Sequence, residues 1–279
     1  MLELFTPHFA SKFIEENPCP LRTQVEYSPK EYIHIKGFSA DPVGDNKAKI
    51  ADGILHKYKG RILVLVTDAC ALHCRFCFRR NQKNAPIKNL PQKLSGVLAN
   101  DPNIKEVILS GGDPLMLSDN ELQNFFDVIP AHINIRIHSR MPIAKPERFT
   151  PQLLQMLKIL GHRLIFVLHC NHPNELDEKS KRIFNFLSKN KITVLNQSVL
   201  LNGVNDNAQT LAELSQKLFS QFVMPYYLHQ LDRAQGTAHF EVPLLTATKI
   251  FKKLKELLPG YLVPKFVKEV AGKKSKVWL

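Results

Sequence analysis

Three of the chain's five cysteines, Cys70, Cys74 and Cys77, fall within the eight residues CALHCRFC. Three thiolates with three and then two residues between them can each hold one iron of a [4Fe–4S] cube, leaving the fourth iron open to a ligand. A structural zinc site wants four closed ligands, and His73 inside the run could be the fourth. Ordinary buried thiols are the third reading. A disulfide needs an oxidising compartment, and nothing in the chain indicates one. The opening stretch, MLELFTPHFASKFIEENPCP, carries acids where a secretory leader would carry positive charge. No apolar run approaches the ~18 residues of a membrane helix. The expectation is a cytoplasmic protein with reduced thiols and no membrane contact, in which the isolated Cys19 and Cys170 are inert. Spacing alone leaves iron–sulfur, zinc and plain thiols open.

A site of this kind needs rigid elements to hold it. The chain has 279 residues, 44% of them hydrophobic, which suffices for a substantial core and argues against disorder. Apolar strands alternate with helical patterns, the signal of βαβ units around a parallel sheet. Strands are predicted at RILVLVT from Arg61, EVILS from Glu106, INIRIH from Ile133, RLIFVLH from Arg163, ITVLNQ from Ile192 and VMPYYLH from Val223. Helices fall between them. Ser118 with Glu121 makes a capping box, and Thr150 followed by Pro151 makes an N-cap with a first-turn proline. The fold class is α/β, an incomplete barrel of six βα units. Residues 1–55 read as a helical lead-in, 56–245 as the partial barrel, and 246–279 as a C-terminal helix, a short strand at YLVPKFV and a tail.

The net charge is +13, and residues 249–279 carry nine lysines against Glu256 and Glu269. A solvated face is the plain explanation of such a run; attraction of anionic, phosphate-bearing cofactors and nucleic-acid binding are the alternatives. The tail has no interleaved aromatics and no recognisable nucleic-acid module, which argues against the last. In parallel barrels chemistry gathers in the loops after the strands. Cys70, the SGGDP loop (Ser110–Pro114), His169, Gln197 and Asp232 all occupy such positions.

With these residues in place, the chain resembles the radical S-adenosylmethionine enzymes, and within them the lysine 2,3-aminomutases. It looks especially like the short bacterial type that makes (R)-β-lysine for modifying elongation factor P. The segments that carry it are HKYKGRILVLVTDACALHCRFCFRR, VILSGGDPL, HPNEL, LNQSVLLNGVND and PYYLHQLD, spread from about Leu21 to the last residues. The resemblance implies a radical S-adenosylmethionine partial barrel in which Cys70, Cys74 and Cys77 ligate a [4Fe–4S] cluster. Ser110, Gly111, Gly112, Asp113, His169 and Gln197 would receive S-adenosyl-L-methionine. Lys276 would hold pyridoxal 5′-phosphate as a Schiff base, with Lys57, Tyr58 and Arg61 at the phosphate.

Arg79 would take the substrate carboxylate, for which a planar bidentate donor suits. Asp232 and Glu269 would take the distant ammonium of lysine. The implied activity is conversion of L-lysine to β-lysine by radical 1,2-amino migration. The implied partners are a flavodoxin- or ferredoxin-type electron donor and, functionally, elongation factor P and its lysyl ligase. The chain departs from the family at Lys273 and Lys274, where relatives often carry Glu and Pro, and at Val277 in place of threonine. It stops three residues beyond Lys276, so a monomer or homodimer is expected. Two other functions fit parts of the sequence: an aminomutase for another amino acid such as glutamate, and a zinc-stabilised nucleic-acid-binding protein.

Overall fold

The computed structural model describes residues 4–15, 18–82 and 87–279. Ten strands form one sheet in chain order. They are β1 (Lys49–Ala51), β2 (Ile54–Tyr58), β3 (Arg61–Thr67), β4 (Glu106–Gly111), β5 (Asn134–Ser139), β6 (Leu164–His169), β7 (Thr193–Val199), β8 (Met224–His229), β9 (Lys265–Lys268) and β10 (Val277–Trp278). Pairing is parallel from β3 through β9 and antiparallel at both ends, β1–β2–β3 and β9–β10. The six expected strands and the late one at YLVPKFV are all present, and the sheet does not close on itself.

Each parallel crossover carries a helix. These are α1 (Leu90–Asn100), α2 (Asp119–Val128), α3 (Pro151–Leu160), α4 (Glu178–Lys189), α5 (Ala208–Ser220) and α6 (Leu244–Leu257). The caps act as the sequence predicts: Ser118 and Glu121 exchange hydrogen bonds at the start of α2, and Leu153 N–H donates to Thr150 Oγ1 at 3.2 Å. The lysines at 249, 252, 253 and 255 lie on the exposed face of α6, opposite buried Ala247 and Leu254.

The lead-in differs from the expectation. It is helical only in short turns, and residues 49–58 fold into the β1–β2 hairpin instead. Gly53, at φ +76°, makes the turn after Asp52, and Gly60, at φ +75°, turns β2 into β3. Strand β2 therefore runs across the 55/56 boundary, and β9 and β10 extend the same sheet beyond 245.

The core lies between the sheet and the helices. On β5, Ile135 and Ile137 pack outward, with Ile62, Val64, Leu109, Phe166 and Leu168 of neighbouring strands, onto Leu122, Phe126, Leu153 and Leu157. The alternate residues point the other way. A closed parallel barrel fills its interior with branched aliphatics. Here Arg136, His138, His169, Gln197, Tyr227 and His229 face inward, and the interior is an open cavity with polar groups set among apolar ones.

Candidate functional site

The cavity measures about 340 Å³. Its wall includes the residues to which the resemblance gives a site role: Lys57, Tyr58, Arg61, Cys70, Cys74, Cys77, Arg79, Ser110, Gly111, Gly112, Asp113, His169, Gln197, Asp232, Glu269 and Lys276. These come from strands β2, β3, β4, β6 and β7, from the loops after β3, β4 and β8, and from the β9–β10 connection.

The three cysteines follow β3 and are free thiols on the cavity wall. Burial pushes the Cys70 and Cys77 thiols up, and neighbouring Cys74 adds to this. They would lose their protons on binding metal. Among the described residues, no three His, Cys, Asp or Glu side chains converge on a single-ion site. The three thiols line the cavity wall, and His73 is not among its lining residues.

The SGGDP loop crosses directly behind the cysteine loop. Gly112 N–H donates to Thr67 O and Asp113 N–H to Ala69 O. A Cβ on Gly111 would sit 2.6 Å from Thr67 O, and one on Gly112 would run into Ala69 O. The close approach that these glycines permit is thus to the chain's own backbone beside the cysteines. Asp113 is buried within the fold. Its carboxylate is turned inward and accepts from Ser139 Oγ at 2.8 and 2.9 Å, Arg140 N–H at 2.9 Å and Leu115 N–H at 3.0 Å. Burial outweighs those bonds and raises its pKa.

Across the cavity, Lys276 Nζ pairs with Glu269 Oε2 at 2.6 Å, and Tyr58 OH donates to Glu269 Oε1. Burial opposes ionisation of Glu269, but Lys276 and Tyr58 win and hold its pKa below the usual value. Asp232 has less help. Desolvation pushes its carboxyl up to about 7 against the pull of Lys276. Arg61 stacks its guanidinium on the Tyr58 ring at 5.2 Å.

Several cavity residues were not singled out from the sequence. Asp45 is buried and holds two of the predicted cations, Lys57 Nζ at 2.6 Å and Arg79 Nε at 2.9 Å. Its pKa is lowered because Arg79 and Lys57 overcome the cost of burial. No motif marked it. His138 and His229 had a readable signal: in NIRIHS the polar Arg136 and His138 alternate with Ile135 and Ile137, so they share one face. Burial drives His138 and His229 well below the ordinary histidine pKa, and burial with nearby Arg140 takes His169 to about 3. All three rings are neutral at pH 7.

The fit to polar cofactors can be tested on unmet polar atoms. Among the described residues His138 Nε2, His169 Nε2 and Arg140 Nε are buried without a hydrogen-bond partner. Buried polar groups are normally satisfied. Neutral imidazole and guanidinium groups left open on a cavity wall beside three thiols fit a polar ligand such as S-adenosylmethionine next to a cluster. An amine, a tyrosine hydroxyl and an arginine together on the opposite side fit an aldehyde cofactor with a phosphate.

Residues 59–140 match the model of a 4Fe-4S single cluster domain. Over 275 residues the chain is 42% identical to an L-lysine 2,3-aminomutase of Haemophilus influenzae, covering 96% of this chain and 81% of that one. Over 275 residues it is 44% identical to an L-lysine 2,3-aminomutase of Escherichia coli, covering 96% and 80%. Among solved structures, Streptococcus suis SuiB bound to S-adenosylmethionine superposes with a TM-score of 0.56 at 13% identity, covering 78% of this chain and 52% of that one. A radical SAM methyltransferase from Sphaerobacter thermophilus gives 0.52 at 14% identity, covering 77% and 68%. These likenesses show the fold. No described helix is long and apolar enough to cross a membrane.

Proposed function

The chain belongs to the L-lysine 2,3-aminomutase family of radical S-adenosylmethionine proteins, and from that premise we propose that it isomerises L-lysine to β-lysine. The observation that carries this reading is one cavity holding three thiols, the amine of Lys276 and the acids Asp232 and Glu269. When bound, the cluster with S-adenosylmethionine supplies one-electron chemistry able to remove a hydrogen atom from an unactivated carbon, and pyridoxal phosphate supplies an electron-delocalising carbonyl.

The chain's own residues do the rest. Cys70, Cys74 and Cys77 would hold the cluster at the end of β3. The backbone of Ser110–Asp113, with His169 and Gln197, would line the S-adenosylmethionine side. Lys57, Tyr58 and Arg61 would face the phosphate, and Lys276 would supply the amine for the aldehyde. Arg79, already oriented by Asp45, presents the rest of its guanidinium to an α-carboxylate.

Glu269 now holds a lysine-type ammonium, that of Lys276. With Lys276 engaged by the aldehyde, Glu269 would be free to hold the substrate's distant ammonium, with Asp232 beside it. An anionic side chain such as that of glutamate would be repelled by the same pair. The assigned product is the R form, made in the cytoplasm for elongation factor P, with a low-potential flavodoxin- or ferredoxin-type electron donor and a monomer or homodimer as the working unit. This rests on the likeness to the short bacterial type.

The test is anaerobic reconstitution with iron and sulfide, then incubation with L-lysine, reductant, S-adenosylmethionine and pyridoxal phosphate. Chiral chromatography should find (R)-β-lysine. A fully loaded protein that cleaves S-adenosylmethionine yet returns only α-lysine would overturn the proposal.

A further inference from the structure

Arg140, whose Nε is open to the cavity, turns the rest of its guanidinium toward the cysteine loop, and that contact has no role so far. Arg140 follows β5, and its side chain is more than nine-tenths buried. Its Nη1 donates to Cys74 Sγ at 2.8 Å. Its Nη2 donates to Glu175 Oε2 at 2.6 Å and to Gln24 Oε1 at 3.1 Å. Glu175 is fully buried in turn, and its Oε1 accepts from Gln24 Nε2 and from the backbone N–H groups of Asn171 and His172 at 2.9–3.0 Å. The rings of Phe9 and Phe76 flank the guanidinium at 5.6 and 5.9 Å.

A buried ion pair of this kind is weak evidence of stabilisation, because desolvation cancels much of the attraction. Nor is the charge needed to close the turn after β5. That turn is already tied by Asp113 to Ser139 and to the Arg140 backbone N–H. What the guanidinium adds is a fixed cation and a donor aimed at one sulfur of the trio.

We propose that Arg140 is a positioning residue that sets the reduction potential of the iron–sulfur cluster through the Cys74 sulfur, with Glu175 orienting and partly offsetting its charge. The proposal rests on the reading of Cys74 as a cluster ligand. One electron from a low-potential donor adds one negative charge to the cluster. A cation in hydrogen-bond contact with a ligating sulfur stabilises that reduced state more than the oxidised one, and it does so strongly in a dry environment. Arg140 therefore raises the potential, and the Glu175 carboxylate, on the far side of the guanidinium, lowers it.

The two residues thus predict shifts of opposite sign, which loss of packing would not produce. The reconstituted proteins to compare are wild type, Arg140→Lys, Arg140→Gln, Glu175→Gln and the double variant Arg140→Gln/Glu175→Gln. Iron and acid-labile sulfide are quantified, and the midpoint is read by electron paramagnetic resonance during a redox titration. Arg140→Gln should lower the ratio of reduced to oxidised cluster about tenfold at a fixed potential, equivalent to about 59 mV for a one-electron couple. Arg140→Lys should fall between it and wild type, and Glu175→Gln should shift upward. If Arg140→Gln fails to fold because Glu175 is left unpaired, Glu175→Gln and the double variant decide. Wild-type midpoints in all folded variants with a full cluster would overturn the proposal. A Cys74→Ala protein that keeps wild-type iron and signal would instead overturn the underlying assignment of Cys74.

Discussion

Asp232 is the acid whose proton is in play near neutral pH. Its pKa is raised to about 7 by desolvation, against about 3.9 in an unfolded chain. The folded protein therefore binds this proton more tightly. The stability it contributes is fully present below about pH 4 and is lost as pH rises through about 7. Asp232→Asn removes that dependence, so its melting temperature relative to wild type should climb between pH 5 and pH 8. Function should run the other way, since only the ionised carboxylate attracts an ammonium. Lysine kcat/KM in wild type should rise through about pH 7. A charge-assisted hydrogen bond contributes about 1.5–3 kcal/mol, so Asp232→Asn should lose roughly 10- to 100-fold at pH 8 and show a flattened profile. Unchanged profiles in both assays would remove Asp232 from lysine recognition. At this scale the sequence was informative where residues sat in motifs: all sixteen that it marked reach one cavity. It was silent on Asp45, a loop acid whose importance comes only from meeting Lys57 and Arg79 in space.

The elements carry the site through two loops that lean on each other. The segment after β4 hydrogen-bonds the segment after β3 just ahead of Cys70, and Gly112 has no room for a methyl group beside the Ala69 carbonyl. Gly112→Ala must push the two loops apart. The strands themselves are anchored elsewhere, in the layer between sheet and helices, so far-UV circular dichroism should stay close to wild type. Iron retained after reconstitution should fall by at least half, because the cysteine loop loses its backing. Full iron retention in Gly112→Ala would show that the thiols are positioned independently of this contact. The parallel strands were readable because strands buried on both faces appear as dense apolar runs such as EVILS and RLIFVLH. The hairpin strand β1 and the terminal β10 are two or three residues long and partly exposed, so they leave no such run.

At the scale of the whole molecule, the sheet ends as two antiparallel margins that never pair through their backbones. Chain order and parallel pairing follow from right-handed crossovers, but how the margins meet depends on side chains 211 positions apart, which no local pattern records. The meeting point is Tyr58 at the end of β2, whose hydroxyl donates to Glu269 just beyond β9, while Glu269 holds Lys276 just before β10. The pairing of Val277 with Lys268 and Trp278 with Val267 fixes the strand that carries this lysine. The cavity's open side is thus bridged by its own working residues. Tyr58→Phe removes the hydrogen bond of this bridge, leaving only the longer approach of Lys57 Nζ to Glu269 Oε1 at 3.9 Å, and keeps the ring, its stack with Arg61 and the hydrophobic core intact. A hydrogen bond to a charged group contributes about 1.5–3 kcal/mol, so amides of residues 265–279 should exchange roughly 10- to 100-fold faster. Protection of β4, β5 and β6 should be unchanged, because those strands lie in the middle of the sheet. Pyridoxal phosphate, followed by its absorbance after gel filtration, should be retained less well in step with that loosening. Wild-type exchange across 265–279 in Tyr58→Phe would show that the tail is held by β9–β10 pairing alone and that the margins are not coupled through Glu269.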